Sequence, residues 1–223
     1  MKRHILLCLV LTLSIAMSAQ QKLMRDVFKS MPDSLTPYLS HNNKLDMIDY
    51  IDSHMRAEVK NNLDGKTVLN QLTDDYLSLQ LNDVSKLELL LLPLDQQVRR
   101  VAPSDSSAES YTQIICMVQT VGKSIRNSSV RFFTPNWQQL DSTPFISKPN
   151  LIFAVRPDTM SVERYEEMKT LASSIEFEYL IDSEKRIITF IPHVTFVSND
   201  EKRCLDQLMN QKTVTWNGHA FVP

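Results

Sequence analysis

The chain has 223 residues, with 24 basic and 26 acidic side chains, 43% hydrophobic residues and only 3 glycines, at Gly65, Gly122 and Gly218. A near-neutral balance whose adjacent basic pairs, such as Arg99-Arg100 and Lys202-Arg203, are scattered rather than gathered argues against nucleic-acid binding, which draws on a gathered basic excess. So few glycines also exclude phosphate-cradling loops, dinucleotide fingerprints and the serine nucleophile elbow, each of which needs two or more at fixed spacing.

The chain opens "MKRHILLCLVLTLSIAMSAQQ": Lys2-Arg3-His4, an apolar stretch from Ile5 to Met17, then the small residues Ser18 and Ala19. This is the layout of a secretory signal peptide, too short to stay in a bilayer as a spanning helix. Cleavage after Ala19 is expected, leaving residues 20–223 as a single α+β domain. Without Lys2 and Arg3 that domain has 22 basic against 26 acidic residues. Cys8 follows Leu7 inside the apolar core rather than a small residue, so lipoprotein anchoring is not expected. No later stretch reaches about eighteen apolar residues. The mature protein is expected to be soluble, periplasmic or secreted, with no membrane span.

"QQKLMRDVFKSM" reads as a short helix stopped by Pro32, and "PDSLTPYL" as a turn with a further helical piece. Asn42-Asn43 then cap a longer helix, with Leu45, Ile48, Ile51, Met55 and Val59 inward and Asp46, Asp49, Asp52 and Arg56 on its solvated side. Asp52 and Arg56 fall at an i,i+4 spacing that favours pairing. After "NNLDGK" the period changes. Leu77, Leu79 and Leu81 alternate with Ser78 and Gln80, predicting a strand with one buried face. "NDVSK" turns the chain into the Leu87–Leu92 strand, covered on both faces. Asp74-Asp75 and Asn82-Asp83 bracket the first of these strands as turn residues, leaving Glu88 alone within a strand.

A polar loop, "PSDSSAES", precedes the strands "YTQIICMVQTV" and "SSVRFFT", which "GKSIRN" connects. Four prolines between residues 134 and 157 predict an irregular covering loop interrupted by the short strand "LIFAV". A helix over Ser161–Ser173 should turn Val162, Tyr165, Met168 and Leu171 or Ala172 inward. Strands "EFEYLID" and "KRIITFIPHVTFV" follow, then a helix opened by Asn199, Asp200 and Glu201 with Leu205, Leu208 and Met209 on one side. "TVTWNGHAFV" closes the chain as a hairpin on Asn217-Gly218. "LSLQLNDVSKLELLLLP" and "EFEYLIDSEKRIITFIP" echo one another, which either a duplicated helix-strand-strand unit or shared hairpin constraints would explain. The sum is α+β, an antiparallel sheet with helices packed on one side.

Histidines His41, His54, His193 and His219 have no second histidine at ligand spacing, so no metal site is assigned. Cys116, in "IICMV", reads as an apolar filler. Cys204 follows Lys202-Arg203 on a helix. The two thiols could pair in an oxidising compartment. Asp74-Asp75 and Glu166-Glu167 are adjacent pairs whose side chains point apart, which suits turns and solvated faces better than an acid and base sharing one bond. The sequon at Asn127 and the tripeptides "DSL" at Asp33 and "DTM" at Asp158 are surface features, the latter two matching the acceptor pattern for O-glycosylation in some bacterial envelopes. In "RFFTPNWQQLD", Trp137 either caps the open end of a sheet or contacts a partner.

The segment "MRDVFKSMPDSLTPYLSHNNKLDMIDYIDSHMRAEVKN", joined to "LTDDYLSLQLNDVSKLELLLLP", resembles a family of exported Bacteroidetes proteins catalogued as domain of unknown function 3256. The resemblance spans the mature chain and implies an envelope location. It supplies no activity, substrate or catalytic residue.

The expected function is a non-enzymatic binding or structural module of the cell envelope, with no catalytic, metal-ligating or cofactor-binding residue assigned. Trp137 and Tyr38 are the candidate contacts for an envelope protein or glycan. The alternatives are a small-ligand or lipid carrier with an internal cavity, and a hydrolase whose site assembles from distant residues such as Asp74, Asp75 and His193.

Overall fold

The structure, a computed structural model, describes residues 21–95, 111–147, 156–172, 175–193, 198–208 and 212–223. The expected signal peptide with Cys8, the loop "PSDSSAES", the expected short strand "LIFAV", the end of "KRIITFIPHVTFV" beyond His193, Ser173 and Met209 lie outside those residues. Among the described residues, no helix is long and apolar enough to cross a membrane.

Helix α1 (Met24–Lys29) buries Met24, Val27 and Phe28. A single 3-10 turn over Asp33–Leu35 leads to α2 (His41–Asp52). The cap of α2 is Ser40, two places before the first of the asparagines expected to cap it. Ser40 Oγ accepts the Asn43 N–H at 3.1 Å, and Asn43 Oδ1 accepts the Ser40 N–H at 3.0 Å, a closed capping box. The helix also ends seven residues before the Val59 expected to close it. His54 adopts φ of 56°, its N–H bonds the Ile51 carbonyl, and the Met55 N–H reaches back to Tyr50, which is a Schellman stop with histidine in the place glycine usually takes. Met55 is therefore exposed, and Val59 is buried on a strand instead. The expected Asp52–Arg56 pair does not form. Arg25 donates to both oxygens of Asp52 at 2.5 and 2.6 Å, and Arg56 pairs with Glu58.

Seven antiparallel strands follow in a meander whose spatial order is the chain order: β1 (Ala57–Lys60), β2 (Lys66–Leu72), β3 (Tyr76–Asn82), β4 (Ser85–Pro93), β5 (Gln113–Val121), β6 (Asn127–Phe133) and β7 (Gln139–Leu140). A second antiparallel sheet has the order β11-β10-β9-β8, from β8 (Glu176–Asp182), β9 (Ile187–His193), β10 (Lys212–Trp216) and β11 (Phe221–Val222). Strands β1 and β2 are additions to the sequence reading. In β2 a register shift between Leu69 and Gln71 breaks the alternation that would have announced it.

The seven-stranded sheet is buried on both faces. Against α1 and α2 it sets Leu77, Leu79, Leu81, Leu87, Leu89 and Leu91. The opposite face sets Leu90, Leu92, Ile114, Cys116 and Phe132 against Ile188, Phe190, Val214, Trp216 and Phe221 of the second sheet. Strand β3, expected to keep one face in water, buries Tyr76 and Ser78 as well because the second sheet lies on that side. Covering each such leucine is worth about 1.5–3 kcal/mol, and β4 alone contributes to both clusters.

Helix α3 (Val162–Ala172) does not join α2 over the first sheet. It pairs with α4 (Asn199–Leu208) around Met168, Ala172 and Leu205, with Val162, expected inward, left exposed. The echoing hairpins fall one in each sheet, β3–β4 in the first and β8–β9 in the second. Cys116 and Cys204 are both free thiols. Cys116 sits mid-strand in the inter-sheet core, and burial pushes its thiol well above the ordinary range.

Candidate functional site

Because the meander is sequential, its alternate turns fall at opposite ends of the sheet. One end holds the tips of three neighbouring hairpins, β1–β2, β3–β4 and β5–β6, spaced about 10 Å apart by the strand separation. Each tip projects an aliphatic side chain into solvent: Leu63 is 69% exposed, Val84 and Val121 47%, and Ile125 46%.

The tips are held rigidly. In the first, Asn61 is buried and its Oδ1 accepts the N–H groups of Leu63 and Gly65, both at 3.0 Å, while its Nδ2 donates to Thr67 Oγ1 and to the Leu81 carbonyl of β3. In the second, Asn82 Oδ1 accepts the Val84 N–H at 2.9 Å. The third turns on Gly122, whose φ of 112° suits glycine and whose N–H donates across to the Val84 carbonyl at 2.8 Å. The Asn62 N–H donates to the Tyr38 carbonyl at 2.9 Å, so Tyr38 extends the row beyond Leu63.

At the other end, α1 and the N-terminal segment close the sheet. The Met24 N–H bonds the Asp74 carbonyl, the Leu91 N–H bonds the Asp75 carbonyl, and Lys22 reaches Pro135 and Asn136. Trp137 lies here, with φ of 65°, its ring 5.5 Å from that of Phe133 and its Nε1 donating to the Val27 carbonyl at 3.1 Å. The two residues nominated from sequence as a partner surface thus stand at opposite ends. Both are half-buried against the first core cluster, Trp137 at this end and Tyr38 at the other, where its carbonyl meets the β1–β2 tip.

The trio Asp74, Asp75 and His193 is not assembled. The Asp75 carboxylate faces Arg186 at 3.5 Å, at the start of β9, whereas His193 ends that strand about 20 Å away. His193 instead places Nε2 2.9 Å from Glu178 Oε2, and Arg126 Nη1 holds Glu178 Oε1 at 2.7 Å. Glu178 is buried on β8. Burial alone would raise its pKa, but the bonds from Arg126 and His193 outweigh that and hold the carboxyl below the usual range. This cluster joins the β5–β6 turn to the second sheet, as does the Tyr179 N–H, which donates to Ser128 Oγ at 3.0 Å.

The only strand acid named from sequence, Glu88, is buried on the inter-sheet face. It accepts the Tyr76 hydroxyl and pairs with Lys86 at 2.9 Å, and the phenol is pushed upward by burial and by that carboxylate. Glu166 and Glu167 pair with Lys169 and Arg164 on the outside of α3. Among the described residues, no three metal-ligating side chains converge.

The sequence profile of the family described as "Protein of unknown function (DUF3256)" matches residues 15–221. The chain belongs to the DUF3256 family. No curated protein matches it. Among solved structures, a domain of an uncharacterized protein from Porphyromonas gingivalis W83 is 17% identical, with a TM-score of 0.71, covering 91% of this chain and 98% of that one. The likeness shows that this DUF3256 chain shares its fold with that domain.

The acid–histidine cluster went unforeseen because Glu178 stands opposite Ile191, diagonal to His193, a relation that appears only once the β8–β9 register is known. The hairpin tips had a signal. "NNLDGK", "NDVSK" and "GKSIRN" each place one aliphatic residue among polar turn formers.

Proposed function

We propose that this DUF3256 protein is a non-enzymatic binding module of the bacterial cell envelope, exported by its signal peptide, whose contact surface is the aliphatic rim of Leu63, Val84, Val121 and Ile125 with Tyr38 beside it. The observation that carries this reading is the rim itself: four large aliphatic side chains held in water on three braced turns along one edge. Turn tips are normally polar, and grouped apolar exposure on a soluble face is characteristic of interaction sites.

Aliphatic tips suit a protein partner better than a glycan, which is more often stacked on aromatic rings. Because these four side chains are already about half covered, completing their burial supplies about 3–6 kcal/mol, at the low end of the cost of association of about 4–15 kcal/mol. The rim is therefore an anchor within a larger contact, with Lys123, exposed on the third tip, available at its margin.

The test is crosslinking capture from the native envelope by the mature protein and by a Leu63→Asp/Ile125→Asp variant, with Leu180→Asp as an exposed control on the second sheet. A protein captured by the wild type and the control but lost by the rim variant supports the assignment. Equal capture by all three overturns the rim. Turnover of a substrate by the purified protein would overturn the module.

A further inference from the structure

The structure contains the same four-residue turn twice, at unrelated places in the fold. Pro32-Asp33-Ser34-Leu35 is closed by the Leu35 N–H on the Pro32 carbonyl at 3.1 Å, and Pro157-Asp158-Thr159-Met160 by the Met160 N–H on the Pro157 carbonyl at 2.9 Å. Each turn starts on a proline that fixes the first φ and ends on a half-buried apolar residue, Leu35 against the first core cluster and Met160 against the third. Each is braced from behind. Lys44, buried on α2, holds Asp33 at 2.9 Å and also donates to the Met31 carbonyl, while Arg156 donates to the Met160 carbonyl. The result in both places is an exposed hydroxyl, Ser34 or Thr159, one residue after an exposed carboxylate.

These hydroxyls are uncommitted. Among the described residues neither has a hydrogen-bond partner, whereas Ser30, Ser40, Thr73, Thr143, Ser161 and Ser198 all use theirs in caps and turns. The other Asp-Ser steps among the described residues lack the arrangement. Ser142 follows Asp141 with no proline ahead, and Ser53 and Ser183 are followed by polar residues.

We infer that Ser34 and Thr159 are acceptor hydroxyls for O-linked glycosylation. The inference rests on the exported reading, since a chain outside the cytoplasm meets no nucleoside triphosphate to phosphorylate it, while sugars reach that compartment linked to membrane lipid through diphosphate. In the reaction, the Ser34 or Thr159 oxygen bonds to the anomeric carbon of such a donor, the bond from that carbon to the donor phosphate breaks, and the lipid diphosphate leaves with the electron pair. The hydroxyl proton passes to a base of the envelope transferase. The turn presents the oxygen to solvent.

Intact-mass and peptide analysis of the full chain purified from its native host tests this, read together with the N-terminal residue of the same sample. A chain beginning after Ala19 and carrying hexose-type increments on the two turn peptides, with one increment lost in Ser34→Ala, both lost in Ser34→Ala/Thr159→Ala and none lost in Ser142→Ala, is the expected result. A processed chain with both peptides unmodified, or with a phosphate-sized increment, overturns the glycan assignment and leaves export standing. An unprocessed, unmodified chain overturns both.

Discussion

Replacing Gly122 by alanine tests whether the hairpin tips are as constrained as their hydrogen bonds imply. Gly122 has φ of 112°, and a Cβ built there would overlap the Ile125 carbonyl oxygen of its own turn. Holding an alanine in that region costs about 1–3 kcal/mol, and relieving the overlap must move the turn, weakening the Gly122–Val84 bond by about 1 kcal/mol more. A loss of about 2–4 kcal/mol should lower the urea midpoint by roughly 1–2 M at a slope of about 2 kcal/mol/M. Gly65→Ala is the control, because Gly65 is not left-handed and its Cβ would meet only the Asn61 side-chain amide, at 3.3 Å. Its change should stay within about 1 kcal/mol. Equal midpoints for the two variants would refute the reasoning, because they would show that the third tip yields as easily as the first.

Three other outcomes follow from the same geometry. Glu178 has a folded pKa below its unfolded value, so its contribution to stability is present above about pH 4.3 and disappears as pH falls through the folded value; thermal melts between pH 6 and 3 should show an acid loss that Glu178→Gln reduces. Cys204 is half-exposed while Cys116 is fully buried, so alkylation of the native protein followed by mass spectrometry should label Cys204 and reach Cys116 only after denaturation; equal labelling would contradict the inter-sheet core. Trp137→Phe keeps a ring near Phe133 but loses the bond to Val27, costing about 1 kcal/mol, whereas Trp137→Ala should cost about 2–3 kcal/mol by denaturant titration.

Much of this architecture is legible in the chain because local chemistry decided it. The leucine run of β4 lacks polar alternation, and a strand covered on both faces is the physical outcome of that pattern. Asn217-Gly218 makes the expected hairpin, the Asn217 side chain accepting the His219 and Ala220 N–H groups while Gly218 takes the positive φ. What was not legible depended on pairings across the fold. The end of α2 was obscured because a histidine fills a position usually marked by glycine. Arg25 lies 27 residues from the Asp52 it binds, and nothing in either segment names the other. The candidate site divides along the same line. Tyr38 could be nominated from its segment, but its place beside Leu63 depends on one backbone bond to Asn62.

The chain-ordered meander has a bearing on how the protein reaches its folded state. Every neighbour in the seven-stranded sheet is also a neighbour in sequence, so apart from the long connection between Pro93 and Gln113 that sheet can zip together from short loops, the kind of contact that closes fastest. The second sheet has no such route to the first. It is fastened by distant bonds, such as Trp216 Nε1 on the Pro93 carbonyl at 2.8 Å across 123 residues, and by the Phe221 N–H on the Phe145 carbonyl. A chain that forms its N-terminal sheet first would thus present a Leu90, Leu92 and Phe132 face that waits, uncovered, for the last strands to arrive. That interval is when the protein is most open to aggregation, and its length is set by the final residues of the chain.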